Sequence, residues 1–471
     1  QREDSAGGRC AVSALWALNS RNASETTEQH YARIEGPTSY LVLNVSMAYY
    51  SGVMNRYNLV SFAGLFVLMA IAWAFSSNRR KVNWRVVIWG TLLQLLLAVI
   101  IFWAPGVDRW FNLLNDGFLK LLSAAQAGQK FVFGSLGDGT GDAQKLGFIL
   151  AFQAFPTIIF FSALMGLLYF WRVMPMLIRA FAAVFSRFMR VSGAESLCTA
   201  TNIFMGIESF TCVRPYLATM TRSEFCTILT AGMATVASST MGLYVLFLKD
   251  VFPGIAGHLM MASVLSAPAA LIMSKLLLPE NDRPDTLGIN PKIPPPGDAG
   301  SLDAIINGAM AGLQMVLGVT ALLIAFLGLL ALANMLVGAG GRLFGAELSL
   351  GGLLGYLFYP LALVTGIPPA DATFAGNLLG LRLVATEVPA YQQLAAAIAN
   401  HSFSNPRSPL IIAYCLCGFA HVASLAIFTG GAVALVPERR ADIVSVGLRA
   451  LVAATLACLM TGAVAGVFFH G

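Results

Sequence analysis

The sequence predicts an all-α polytopic membrane protein with eight transmembrane helices and further interfacial or re-entrant segments, built as an inverted repeat. Three observations carry that expectation. Of 471 residues, 57% are apolar and only 11% charged, with a mean hydropathy of +0.73, more apolar content than a soluble core of this size uses. Apolar runs recur at about 20 residues, the length a helix needs to cross the hydrocarbon layer. A phrase of small and polar residues occurs twice, as GMATVAS from Gly232 to Ser238 and as GFAHVAS from Gly418 to Ser424.

Taken in order, the spans fall near 57–76, 86–105, 147–170, 225–248, 256–279, 304–336, 410–435 and 444–469. Arg79, Arg80, Lys81 and Arg85 follow the first, and Arg439 and Arg440 precede the last. The positive-inside rule puts both basic loops in the cytoplasm, and eight spans then put both termini outside. Stretches 108–126, 173–189, 196–212 and 351–386 are interrupted by Gly, Pro or charge. They read as interfacial or re-entrant segments.

The domain boundaries follow from composition. Residues 1–53 are polar and contain no signal-peptide core, and Met54 stands just before the first span, so 1–53 read as an extension upstream of the natural start. Residues 54–146 hold the first spans and an interfacial or re-entrant segment. Residues 147–279 form a first half with the first copy of the repeat. The Pro-rich linker 280–300, ENDRPDTLGINPKIPPPGDAG, separates it from a second half, 301–471, with the second copy and the last span.

Several function classes drop out. The net charge of +6 is spread over loops without interleaved aromatics, so no nucleic-acid partner is expected. Six of the seven cysteines lie in or beside apolar segments and read as small hydrophobes. Cys415-x-Cys417 lacks a second pair, no HExxH occurs, and neither a GxSxG elbow nor a phosphate-cradling Gly loop is present. An enzyme, a metal centre and a resident cofactor are therefore not expected. The rival classes are an intramembrane enzyme using Glu208, Glu387 and His421 as acid and base groups, and a passive channel.

The repeat points elsewhere. Glu208, Pro215, Tyr216, Arg222 and Ser223 precede the first copy; Glu387, Pro389, Tyr391, Arg407 and Ser408 precede the second in the same order. Span counting runs the two copies in opposite directions, the inverted construction of secondary transporters, whose interrupted helices place a binding site near the bilayer midplane. Ala234, Ala237, Ala420 and Ala423 permit close backbone approach, and Thr235 and Ser238 suit either helix packing or a polar site. A carboxylate such as Glu208 or Glu387, or the His421 imidazole, needs a partner or a hydrated cavity at this depth. Arg382 is an alternative, purely structural partner for Glu387, while Glu195 reads as a helix-start carboxylate.

These residues resemble the concentrative nucleoside transporters over roughly 54–470. The resemblance rests on LAFQAFPTIIFFSALM at 150–165, SGAES at 192–196, then NIFMG, VRPYL, MTRSE and TVASSTMGLYV, and in the second half on LGYLFYPLALVTGIP, GNLLGLRLVATEVPAY, NPRSP, CGFAHVASLAI and ALVPERRADIVSVGLRAL. It implies a homotrimer in the bacterial inner (plasma) membrane, each protomer with eight transmembrane helices, interfacial helices and two re-entrant hairpins, 54–146 serving as scaffold, hairpin 1 falling in 147–279 and hairpin 2 in 301–471. Such a protein imports nucleosides by an elevator motion, driven by a sodium or proton gradient. It also implies a substrate site of Gly206, Ile207, Glu208, Glu387, Phe419, His421 and Ser424, with Glu208 on the nucleobase and Glu387 on the ribose. Asn202, Met205, Ser239 and Thr240 match the family's sodium site. The pattern departs at both ends of the pocket: GIES lacks the family's Gln and hydroxyl, and His421 and Ala423 replace an Asn and a Ser. One residue is also missing between Asn202 and Arg214. The shortened hairpin threatens an oxygen cage that depends on carbonyl placement, and His421 adds a group that titrates near neutral pH. Proton coupling, or a nucleobase or modified nucleoside as cargo, is therefore the alternative expectation.

Overall fold

The computed structural model describes residues 56–103, 107–138, 148–289, 293, 297–343 and 349–469. The extension expected at 1–53, the start at Met54 and part of the 280–300 linker lie outside these residues. The described residues contain helices and no strand.

Helices α1 (Arg56–Ala74) and α2 (Trp84–Trp103) are apolar along their length and leave Phe66, Leu92 and Leu96 exposed, as lipid-facing spans do. The basic turn Arg79–Lys81 joins them with no buried residue. Helix α3 (Val107–Phe133) is amphipathic, and α4 (Phe155–Phe170) is apolar. Helix α5 (Val173–Met189) buries Met174, Ile178, Ala182, Phe185 and Met189, a stripe at helical spacing, and carries Arg187 in its last turn. Helices α3 and α5 are thus the interfacial elements expected near 108–126 and 173–189.

Hairpin 1 consists of α6 (Gly193–Asn202) and α7 (Ser209–Val213) joined by a tip at 203–208. Helix α6 is buried on every side and starts with a capping box, Ser192 with Glu195. One span follows in two pieces, α8 (Arg222–Ala234) and α9 (Ser238–Leu248). Helix α10 (Ile255–Leu277) runs through the interior, and Gln94 of α2 donates to its Leu265 carbonyl at 3.1 Å, three residues before Pro268.

Helix α11 (Ser301–Leu343) has 43 residues, about 64 Å at the helical rise, and only 6% of its most apolar stretch is buried. Helix α12 (Leu350–Val364) leads to hairpin 2, α13 (Pro369–Ala385) and α14 (Glu387–Ala399), which meet at Thr386. A second broken span, α15 (Arg407–Leu416) and α16 (Val422–Leu435), precedes α17 (Arg440–Val467). Among the described residues, seven helical segments are long and apolar enough to cross a membrane. The remaining expected span, 410–435, is the broken pair α15–α16, whose pieces are each too short alone.

The duplicated phrase marks the two breaks, and the breaks cross each other. Gly232 lies inside α8, where a Cβ would stand 2.3 Å from the ring of Phe428 in α16. Gly418 lies in the second break at φ +132°, and a Cβ there would meet the Ala234 carbonyl at 2.7 Å. The same glycine therefore serves two purposes: a seat for an aromatic ring in the first copy, and a left-handed turn against a foreign backbone in the second. Small residues recur because the two broken helices pack back to back.

Candidate functional site

An interrupted helix leaves backbone N–H and C=O groups without partners, so membrane proteins confine such breaks to the protein interior or to cavities. Here both breaks and both hairpin tips border one cavity. Hairpin 1 contributes Gly206 and Ile207, and hairpin 2 contributes Thr386, Glu387 and Val388. The first broken span adds Ala237, Thr240, Leu243 and Tyr244; the second adds Phe419, His421, Ser424 and Phe428. Ile158 of α4 and Met315, Val319 and Leu322 of α11 complete an apolar wall.

Glu387 is the first residue of α14, where the helix dipole favours a carboxylate. The Tyr244 hydroxyl donates to its Oε1 at 2.6 Å. Oε2 stands 2.8 Å from His421 Nε2. A carboxylate has about four acceptor sites, so with two neighbours it keeps accepting capacity at the cavity.

His421 caps α16: its Nδ1 accepts the Ser424 backbone N–H at 3.1 Å. A nitrogen that accepts cannot carry the proton of a neutral imidazole, so that proton sits on Nε2. Ser424 Oγ lies 2.9 Å from the same Nε2. Thr386 has φ 99° and ψ 170°, a region populated almost only by glycine, so a β-branched residue there stores about 1–3 kcal/mol of strain. Its buried hydroxyl has no hydrogen-bond partner.

The structure brings six of the seven expected substrate residues to this cavity: Gly206, Ile207, Glu387, Phe419, His421 and Ser424. Glu208 is not among the lining residues; its Oε2 turns back to accept the Gly206 N–H at 3.1 Å. Of the expected ion residues, Thr240 lines the cavity. Asn202 Oδ1 accepts from Ser209 Oγ at 3.0 Å while its amide donates to the Cys198 carbonyl. Ser239 Oγ contacts Met315 Sδ at 3.7 Å, and the Met205 carbonyl accepts no hydrogen bond among the described residues.

Hairpin 1 is docked onto the first break. The Ser238 N–H donates to the Phe204 carbonyl at 3.0 Å, and Ser263 Oγ of α10 reaches the carbonyls of Ile203 at 2.9 Å and Val236 at 3.3 Å. Thr235 bonds back to Ala231 of its own helix, so its hydroxyl serves the break. Arg382 is fully buried and donates to the Cys415 carbonyl, leaving Glu387 to Tyr244 and His421. Glu195 caps α6 and also pairs with Lys275.

Sequence reasoning missed Tyr244 and Thr386. Tyr244 was legible only as a phenol inside an apolar span, and Thr386 only as the residue between Ala385 and Glu387.

Family models named for the Na+ dependent nucleoside transporter match its N-terminal part at residues 63–136 and its C-terminal part at 258–466, and a nucleoside recognition model matches 151–251. The chain is 37% identical over 411 residues to an uncharacterized transporter, YutK, of Bacillus subtilis, covering 86% of this chain and 98% of that protein. It is 34% identical over 417 residues to the nucleoside permease NupC of Helicobacter pylori, covering 87% and 98%. This chain belongs to the concentrative nucleoside transporter family. Its structure superposes on that of CNTnw in an inward-facing substrate-bound state with a TM-score of 0.78 at 33% identity, covering 88% of this chain and 98% of that one. An outward-facing CNTnw variant gives 0.79 at the same identity, with the same coverage of each chain. The transporter is thus a multi-pass membrane protein, and its relatives are transporters and permeases rather than enzymes.

Proposed function

We propose that this transporter is a cation-coupled nucleoside symporter of the bacterial inner (plasma) membrane, working as a homotrimer by an elevator motion. The observation that carries the proposal is Glu387, a buried carboxylate in the cavity lining, held by the Tyr244 hydroxyl at 2.6 Å and by His421 Nε2 at 2.8 Å. Its oxygens retain further lone pairs, for which two adjacent sugar hydroxyls are the natural donors, and a ligand lacking them forgoes those bonds. Phe419 and Ser424 line the same cavity, and Gly206 and Ile207, from the other hairpin, would face the base. Glu208, folded onto its own backbone, would act there only after turning.

Sodium is the favoured coupling ion. Asn202, Met205, Ser239 and Thr240 offer oxygen donors, the class a hard cation takes, and the spare Met205 carbonyl fits that use. Their oxygens belong to the hairpin-1 tip and the helix that begins beside it, so an ion bound there would stabilise the docked tip that borders the ligand. Coupling needs that differential affinity between conformations. The 2.8 Å contact between His421 and Glu387 supports proton coupling as a second reading. Against it, a second proton on His421 requires Nδ1, which already caps α16.

Residues 54–146 and the exposed helix α11 suit a scaffold, and the apolar face of α11 suits contact with lipid and sister protomers. The test is uptake of radiolabelled uridine and adenosine into liposomes carrying the full chain, under an inward sodium gradient, a proton gradient, or neither. Accumulation driven by sodium is expected. Accumulation driven only by protons moves the coupling to His421 and the glutamates, and uptake that merely equilibrates overturns symport.

A further inference from the structure

Polar side chains of the cavity lining form one linked cluster: Glu387 lies 2.6 Å from the Tyr244 hydroxyl and 2.8 Å from His421 Nε2, which lies 2.9 Å from Ser424 Oγ. Thr386, adjacent to Glu387 in the chain, adds a buried hydroxyl without a hydrogen-bond partner, whereas Ile207, Met315, Val319 and Leu322 line the cavity with apolar groups. We infer that this transporter reads the sugar by hydrogen bonds and holds the base by apolar contact, so its cargo includes ribonucleosides whose base edge is blocked by alkylation. The inference rests on the nucleoside reading above and specifies its substrate class.

Two further features remove base-reading groups from this wall. The Glu208 carboxylate is engaged by the Gly206 N–H, 3.1 Å away, and is absent from the lining. Ile207 takes the wall position instead and packs flush on α16, where a Cβ on Gly431 would stand 2.3 Å from Ile207 Cδ1. That wall is closed by close packing, which leaves no room for a longer polar side chain from Gly431.

The physical consequence is a particular selectivity. An unmodified base entering an apolar wall loses the water on its edge and gains no hydrogen bond in exchange. An N-methyl group on that edge removes one such penalty and adds apolar contact. Apolar walls separate close isosteres by no more than about 100-fold, while a site built to hydrogen-bond a group rejects ligands lacking it by about 10⁴-fold. The sugar contacts should therefore discriminate strongly and the base contacts weakly.

The test is competition against radiolabelled uridine uptake in liposomes carrying the full chain, with unlabelled uridine, N3-methyluridine and 2′,3′-dideoxyuridine. N3-methyluridine should compete within about 100-fold of uridine, the range of an apolar wall, and the dideoxy analogue about 10⁴-fold more weakly. In Ile207→Thr the preference should shift toward uridine. Uridine uptake that N3-methyluridine fails to inhibit overturns this inference and leaves the nucleoside reading standing. Failure to take up uridine and adenosine at all overturns both.

Discussion

Replacing Glu387 with glutamine keeps the side-chain volume and removes the charge, so its effect can be worked out from the contacts. Oε1 accepts the Tyr244 hydroxyl at 2.6 Å and Oε2 faces His421 Nε2 at 2.8 Å. Because His421 Nδ1 accepts the Ser424 N–H, Nε2 must remain the proton-bearing nitrogen. A glutamine would turn its oxygen to the His421 Nε2–H and its NH2 to Tyr244, whose hydroxyl must then accept rather than donate. In the proposed site the ligand also loses a charge-assisted hydrogen bond of about 1.5–3 kcal/mol. At about 1.4 kcal/mol per tenfold, this is roughly a 10- to 150-fold fall in uptake Vmax/KM per ribose hydroxyl bound, and two such bonds take uptake below detection. The assay is sodium-driven uridine uptake in proteoliposomes, normalised to inserted protein, with gel filtration to check assembly. Wild-type uptake by a correctly inserted E387Q protein refutes the assignment of Glu387 to the ligand.

Three other outcomes follow from the contacts. Lys275 pairs with the buried Glu195, and with the half-buried Glu280 at 3.2 Å, so Lys275→Met strands the Glu195 carboxylate; it should lose about 3–5 kcal/mol, partly restored by adding Glu195→Gln, as read by thermal unfolding in detergent. Gly418→Ala forces an L side chain to φ +132° against the Ala234 carbonyl and should destabilise by about 1–3 kcal/mol for the backbone alone; an unchanged melting temperature would contradict the crossed-break geometry. Cys198, Cys212, Cys226, Cys415, Cys417 and Cys458 are buried and unbridged, so a Cys10→Ser protein in native membranes should label with maleimide only after denaturation.

What the sequence revealed was the part governed by one-dimensional rules. Spans were legible because hydrocarbon thickness sets a length, and the breaks because the polar phrase at Gly232 and at Gly418 is foreign to a continuous apolar helix. The register was not legible. The first break falls at 235–237 and the second at 417–421, because each copy stops its helix against a different neighbour. The direction of Glu208 was hidden for a related reason. A tip residue points where docking allows, and this tip is fixed by the Ser238 N–H and by Ser263, both distant from it in sequence. Lys275, the partner of Glu195, lies 80 positions away with no spacing rule to connect them. Arg382, close to Glu387 in sequence, turned instead to the Cys415 carbonyl.

The repeat extends to the hairpin roots, and that separates residues that set stability from those that set selectivity. Glu195 is the third residue of α6, and Asp371 the third of α13; Ser223 and Ser408 are each the second residue of the following broken span. In the second half Ser408 donates directly to Asp371, whose other oxygen accepts the Ser404 N–H at 2.9 Å. In the first half Lys275 intervenes, bonding Ser223 Oγ at 2.9 Å and pairing with Glu195. Each hairpin is thereby tied at its root to the start of its own broken helix, far along the chain from the tip that borders the cavity. Asp371→Ala removes two charge-assisted bonds of about 1.5–3 kcal/mol each, so it should lower the melting temperature while leaving the ratio of uridine to N3-methyluridine uptake unchanged. Thr386→Gly should do the reverse, relieving strain at φ 99° while removing a hydroxyl from the cavity. If Asp371→Ala instead altered selectivity among nucleosides, root and tip would be coupled, and the separation drawn from these bonds would fail.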